Sequence, residues 1–181
     1  MTRGYTGSQT PVPIRDLWRT PKPIFDYYDK RFGFTVDMAA SKDNKLCEWF
    51  FSEDNDALNK SNVSDTINYL FGEEVNPVAW CNPPYSDITP WVKQCIDTAR
   101  DHNIPVVMLI PADTSVKWFK LAFENCSECH FISGRLAFIN EETGKPVSGN
   151  NKGSVVFVFD PNSPFKSQVC LIDRNEMMRS A

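Results

Sequence analysis

The stretch VAWCNPPYSDITPW, residues 78–91, sets an apolar run, an asparagine, two prolines and a tyrosine ahead of a helix start. PVAWC reads as a buried strand, and Asn82 leaves it at the carboxyl end, where open α/β sheets place their ligands. Pro83 and Pro84 hold φ near about −65° and remove two N–H donors. The carbonyls there meet no neighbouring donor, and Tyr85 sets an aromatic face beside them. Such a site is rich in acceptors, rigid and walled by a ring, which suits a planar group bearing an NH₂. The Asn82 side-chain oxygen and the Pro83 carbonyl each take one amino hydrogen, drawing the nitrogen lone pair out of conjugation and aiming it. Positioning and electrostatics of this kind lower barriers by several kcal/mol. On these four residues alone, a rigid two-proline turn with Asn82 capping a local N–H stands equally well.

Downstream, DITPWVKQCIDTARDHN predicts a helix with Thr89 as N-cap, Pro90 at its first position, and Trp91, Val92, Cys95, Ile96 and Ala99 on one face. IPVVMLIP is a continuous apolar run, the pattern of a strand buried on both faces. SVKWFKLAFENC predicts a helix with Val116, Trp118, Phe119 and Phe123 inward, and HFISGRLAFI and GSVVFVFD read as strands. Between those strands, residues 140–153 are polar and glycine-rich. QVCLI is a candidate last strand.

Upstream, TPKPIFDYYDKRFGF predicts a helix capped by Thr20, with Pro21 in its first position and Gly33 as its stop. FTVDMAA reads as a short buried strand ending on Asp37. DNKLCEWFF is a further apolar stretch, and residues 53–56 run Glu-Asp-Asn-Asp. Residues 59–76 are polar with one helical patch, INYLF. Helices alternating with apolar strands describe an α/β sheet with helices on both faces. The expected organisation is a mobile leader over residues 1–19 and a single domain over residues 20–181.

The chain has 181 residues, 41% hydrophobic and 13% aromatic, enough for one ordinary core and too apolar for disorder. A formal net charge of −4 argues mildly against a nucleic-acid partner, although only the face that meets phosphate must be positive. No apolar run reaches the ~18 residues of a membrane span. The start lacks a secretory apolar core. Six cysteines are scattered without a framework, so reduced cytoplasmic thiols are expected. CSECH, residues 126–130, matches a haem-attachment pattern and offers three of four zinc ligands. With no export signal and His102 as the one other histidine, buried thiols and no metal are the expected reading.

The pattern [DNS]-P-P-[YFW] after a buried strand resembles the catalytic motif of S-adenosylmethionine-dependent amino-methyltransferases. The wider chain is similar to the phage-type DNA N-6-adenine methyltransferase (Dam) family. The resemblance runs from about Thr20 to Phe159, through TPKPIFDYYDKRFGFTVDMAAS, FFSEDNDAL, WCNPPYSDITPWV, LIPADTSVKWF, ISGRLAF and GSVVFVF in that order. It implies a Rossmann-like methyltransferase sheet that binds S-adenosyl-L-methionine and a flipped adenine of double-stranded DNA, encoded by a phage or prophage and acting in the bacterial cytoplasm. Asn82, Pro83, Pro84 and Tyr85 then form the target-base pocket. Asp37 matches the cofactor-motif acid, with Ala39 and Ala40 beside it. Asp56 is chosen for the ribose hydroxyls, with Asp54 as its rival. Thr20 and Pro21 match the motif that closes over the cofactor's methionine end. The chain departs from general methyltransferases in carrying DMAASKDN where they have a glycine-rich turn.

Lys117, Lys120, Arg135, Lys145 and Lys152 are the candidates for phosphate contact, Arg135 foremost because it lies in SGRLAF. The 140–153 loop could read a groove or serve as a plain connection. Three alternatives share the motif: a glutamine-amide methyltransferase of release factors, an RNA-adenine methyltransferase, and a methyltransferase-like fold that only binds. The missing glycine turn weighs against the first, and intact NPPY and Asp37 against the last.

Overall fold

The computed structural model describes residues 16, 18–72, 76–141, 143–147 and 152–180. In chain order the elements are β1 (Trp18–Arg19), α1 (Lys22–Phe32), β2 (Val36–Asp37), β3 (Trp49–Phe50), α2 (Lys60–Phe71), β4 (Ala79–Cys81), α3 (Thr89–His102), β5 (Val106–Pro111), α4 (Lys117–Asn125), β6 (Glu128–Ser133), β7 (Ile139–Asn140), β8 (Ser154–Phe159), β9 (Gln168–Asp173) and α5 (Arg174–Ser180). The main sheet has the order β3-β2-β4-β5-β8-β6-β9. β3, β2, β4 and β5 run parallel, whereas β8 is antiparallel to both its neighbours and β9 is parallel to β6. From β2 the chain steps outward to β3, then returns to place β4 on the other side of β2. The β2/β4 boundary is therefore a topological switch point, and a crevice opens beyond the carboxyl ends of those two strands.

Alternation along the central strands sorts the core into two halves. Val106, Met108 and Ile110 of β5 pack on one face with Val155, Phe157 and Phe159 of β8, under α2, α3 and α4. Val107 and Leu109, with Val156 and Val158, face α1 and α5 instead. This is a Rossmann-like α/β sheet covered by helices on both faces, as the alternating pattern predicts. Phe157 is fully buried, with the Phe119 ring edge-on at 5.2 Å between centroids. Phe157→Ala is expected to cost about 3–5 kcal/mol, because the surrounding rings cannot collapse into the cavity left behind. Urea denaturation of the variant checks this.

Two helix starts differ from expectation by one residue. Pro21, not Thr20, takes the cap position of α1, with ψ 129° and its carbonyl accepting from Ile24 N–H at 2.9 Å. The chain is extended through β1 and stays so through Pro21, which delays the first turn. At α3 the cap is Ile88 rather than Thr89. Ile88 is buried and already helical, so Thr89 falls inside the helix. Gly33 closes α1 as predicted, with φ 64° and its N–H on the Asp29 carbonyl at 2.8 Å.

The leader and the long loop also take part in the fold. Trp18 and Arg19 pair with β7 as a two-stranded ribbon, Trp18 opposite Asn140 and Arg19 opposite Ile139. Residues 1–15 and 17 of the expected leader lie outside the described residues, as do 142 and 148–151 of the loop. The CSECH stretch is drawn into the core. Burial pushes the Cys126 and Cys129 thiols up, to about 11 and about 12. His130 receives the Tyr28 hydroxyl at Nδ1 (3.3 Å) and meets Glu128 through Nε2 (2.9 Å), while Arg31 clamps Glu128 with both Nη atoms. Burial holds His130 below its ordinary pKa. Burial also opposes the Glu128 charge, but the Arg31 and His130 hydrogen bonds outweigh it and leave that carboxyl lowered. With both ring nitrogens engaged, His130 belongs to a structural chain of hydrogen bonds. Among the described residues no helix is long and apolar enough to cross a membrane.

Candidate active site

At the switch point lies a cavity of about 770 Å³. Asp37, at the end of β2, and Asn82, just beyond β4, both line it. Asp37 is almost wholly buried, and burial pushes its carboxyl up to about 6 although two backbone N–H groups work against the shift. Those donors are Leu46 on Oδ2 and Ala39 on Oδ1, each at 3.2 Å. The carboxylate thus folds the segment after β2 around itself.

The missing glycine turn has a substitute. In SKDN, Ser41 N–H donates to Asn44 Oδ1 at 2.6 Å and Asp43 N–H to Ser41 Oγ at 3.3 Å. In SEDN, Ser52 N–H donates to Asn55 Oδ1 at 2.6 Å and Asp54 N–H to Ser52 Oγ at 3.3 Å. The same side-chain-closed turn follows both β2 and β3. An Asn or Ser oxygen stands in for a backbone acceptor, so the chain turns tightly with small residues rather than glycine. The repeated Ser-x-Asp-Asn was the available sequence signal for this. Ala39, Ala40, Ser41 and Lys42 line the cavity from one turn, and Ser52, Glu53, Asp54 and Asp56 from the other. Asp56 takes a left-handed φ of 30° and accepts Leu58 N–H on Oδ1 at 3.0 Å; both Asp54 and Asp56 are exposed.

The NPPY corner holds its own side chains in a fixed arrangement. Asn82 Nδ2 donates to the Trp18 carbonyl at 3.3 Å, which assigns the amide nitrogen to that side and leaves Oδ1 as the acceptor. Tyr85 donates its hydroxyl to that Oδ1 at 3.0 Å. An amide oxygen has two lone pairs, so one acceptor position remains. Burial pushes the Tyr85 phenol up, keeping it a donor, and its ring stands edge-on to Phe138 at 6.0 Å. Pro84 lines the cavity, while Pro83 is buried behind it. Asp16 reaches the same corner, accepting Ser86 N–H at 2.9 Å.

Beside that corner the lining includes Trp18, Arg19 and Glu141, which the sequence left in the leader and the loop, together with Thr20, which it assigned to the cofactor. Arg19 Nη2 meets Glu141 Oε1 at 3.0 Å. Trp18 stacks on Phe138 at 6.1 Å. Trp18 Nε1, Arg19 Nε, Thr20 Oγ1 and Glu141 Oε2 are shielded from solvent with no hydrogen-bond partner. Native proteins leave only a few such atoms per about 100 residues, so four in residues lining one cavity call for a reason. The structure thus gathers Thr20, Asp37, Ala39, Ala40, Asp54, Asp56, Asn82 and Pro84 about one cavity, with Pro21, Pro83 and Tyr85 adjoining it in the chain.

The five basic candidates lie outside the cavity lining, and all are exposed. Lys117, Arg135 and Lys152 follow or precede strands at the same carboxyl edge of the sheet, and Lys145 sits in the hairpin after β7. Two have acidic partners: Lys152 bonds Asp113 at 2.8 Å and Lys120 lies 3.6 Å from Glu124. The Lys152 and Ser115 hydrogen bonds hold the Asp113 carboxyl down at about 2. The Arg135 carbonyl receives Arg174 Nη1 at 2.8 Å, which fixes that backbone.

The model of the family described as DNA N-6-adenine-methyltransferase (Dam) matches residues 7–181. A DNA N-6-adenine-methyltransferase of Escherichia phage T1 is 41% identical over 172 residues, 86% of this chain and 67% of the relative. A protein of the same name from Haemophilus phage HP1 (strain HP1c1) is 33% identical over 165 residues, 90% of this chain and 88% of the relative. Length and order of the match leave one conclusion: this chain belongs to the DNA N-6-adenine-methyltransferase (Dam) family.

Proposed function

We propose that the cavity holds S-adenosyl-L-methionine, and that the NPPY corner receives an adenine turned out of double-stranded DNA, in the cytoplasm of a bacterial host. The reaction class, adenine-specific N6 methylation of DNA, is that of the family. The observation that carries the cofactor reading is the set of buried, unpartnered polar atoms at one wall. Trp18 Nε1, Arg19 Nε and the Thr20 hydroxyl are donors, matched to a carboxylate; Glu141 Oε2 is an acceptor, matched to an ammonium. An α-amino acid end carries both groups. Elsewhere in the lining Asp56, with Asp54 beside it, supplies acceptors for ribose hydroxyls, and Phe50 and Trp91 add apolar surface. The residues present fit the group.

When bound, that cofactor supplies a methyl group on a positively charged sulfur. The protein's part is to aim the adenine nitrogen. An adenine amino group inside the duplex cannot be reached, so the base must leave the stack. Asn82 Oδ1 and the Pro83 carbonyl accept its two hydrogens and localise the lone pair. The Trp18 carbonyl fixes the amide's orientation, and the Tyr85 hydroxyl fixes the amide's distance from the ring. The amino proton passes to solvent water once the nitrogen carries positive charge, so neutral acceptors suffice at Asn82. Lys117, Arg135, Lys145 and Lys152 form the phosphate-facing edge.

Incubation with methyl-labelled S-adenosylmethionine and unmethylated duplex, followed by nucleoside analysis, is expected to yield N6-methyladenine. Label in N4-methylcytosine, or none in DNA, would overturn the reading.

A further inference from the structure

Arg19 lies in β1 and Glu141 directly follows β7, so their ion pair bridges the two strands of the ribbon. Arginine and carboxylate usually meet fork to fork, in two parallel bonds. Here one atom of each is used. Arg19 Nη2 and Glu141 Oε1 bond to one another, whereas Arg19 Nε and Glu141 Oε2 are buried without partners in residues that line the cavity. Each side chain thus holds the other by one atom and keeps a second buried polar atom unmatched.

The same pair governs a surface element. Residues 138–141 and 143–147 are the two arms of a hairpin, with Val147 N–H on the Phe138 carbonyl (2.7 Å), Asn140 N–H on the Lys145 carbonyl (2.9 Å) and Gly144 N–H on the Asn140 carbonyl (2.8 Å). Its strand β7 pairs with β1 in a two-stranded sheet apart from the main one, and Ile139 also bridges Pro146 across the hairpin. A two-residue ladder is marginal without support. The Trp18–Phe138 stack supports its root, and the Arg19–Glu141 pair supports the side nearer the turn. Thr143, Gly144 and Lys145 are exposed there, and β1 itself touches Asn82 through the Trp18 carbonyl.

We infer that Arg19 and Glu141 are positioning residues that couple the cavity's ligand to the DNA-facing hairpin. This rests on the cofactor reading above. With a carboxylate on Arg19 Nε and an ammonium on Glu141 Oε2, both side chains are held on two sides, and the ribbon and hairpin stiffen as one unit. A duplex that meets the hairpin then binds the occupied protein more tightly. Linkage requires the duplex to tighten ligand binding by the same factor.

The test measures binding of a fluorescent duplex carrying the mapped methylation site, with and without saturating S-adenosylhomocysteine. In the wild type the ligand should tighten duplex binding by about fivefold or more, within the usual range of coupling. Glu141→Gln keeps the shape and a hydrogen bond to Arg19 but loses the charge on Oε2. Its duplex affinity without ligand should stay near wild type while the ligand's effect shrinks to about twofold or less. Arg19→Lys, which replaces the fork by a single ammonium, should show the same loss, and thermal melting reports whether each variant is folded. Full coupling retained in both folded variants overturns the inference, as does a wild type whose duplex affinity ignores the ligand. A wild type that fails to bind S-adenosylhomocysteine by calorimetry strikes the cofactor reading itself, and this inference with it.

Discussion

Asn82→Ala is expected to lower methyl transfer by on the order of 10²–10³-fold, the usual effect of removing one preorganised hydrogen-bonding group from a reacting centre. The alanine variant loses the acceptor for the target amino group, and also the Nδ2 donor that anchors the Trp18 carbonyl. Cofactor affinity should fall little, because Asp37 and the two Ser-x-Asp-Asn turns are untouched. Calorimetry with S-adenosylhomocysteine, beside single-turnover transfer of labelled methyl, separates the two effects. Asn82→Asp, which the [DNS]-P-P-[YFW] pattern admits, keeps an acceptor and should retain measurable transfer. An alanine variant with near wild-type turnover would mean that the acceptor pair does not aim the nitrogen.

Asp37→Asn is expected to weaken cofactor binding tenfold or more, about 1.4 kcal/mol or above. The carboxylate both organises residues 38–46 and places negative charge in the cavity. Its pH signature is distinctive. The folded carboxyl titrates at about 6 because it is buried, against an ordinary 3.8. Between those values the folded chain keeps a proton that the unfolded chain has lost. This contribution to stability is therefore full below about pH 4 and is lost as pH rises through about 6, by about 3 kcal/mol. Urea titrations at pH 4.5 and 7 should show the slope in the ligand-free wild type and not in Asp37→Asn. Equal slopes would place the raised carboxyl elsewhere. A ligand with a positively charged sulfur in the same cavity would favour the charged form, so cofactor affinity should rise across the same window.

Much of this site is legible along the chain because its chemistry is local. Two adjacent prolines strip donors from the backbone wherever they stand, and Asn82 ahead of them is an acceptor at a strand end in any fold that buries PVAWC. The strands declare themselves by their apolar runs, as Ser154–Phe159, buried throughout, shows. The helix caps were legible only to within one residue. What delays α1 is the pairing of Trp18 and Arg19 with β7, and what advances α3 is the burial of Ile88. Neither is written in the capping residues themselves. The basic candidates fare similarly. A lysine at 152 suggests phosphate contact, yet its ion pair with Asp113 depends on β5 and β8 lying side by side.

The sequence by itself determined the α/β class and, through its ordered motifs, the family. These follow from residue types acting on their own backbone and immediate neighbours. Only the tertiary structure decided how the cavity is closed. Arg19 and Glu141 are 122 residues apart, and the two-residue strands that bring them together have no periodicity to recognise. Their pairing is stabilised by contacts with Phe138 and Asn82 that exist once the sheet has formed. The residues proposed to link cofactor with DNA therefore lie in segments that, read singly, look like a leader and a loop.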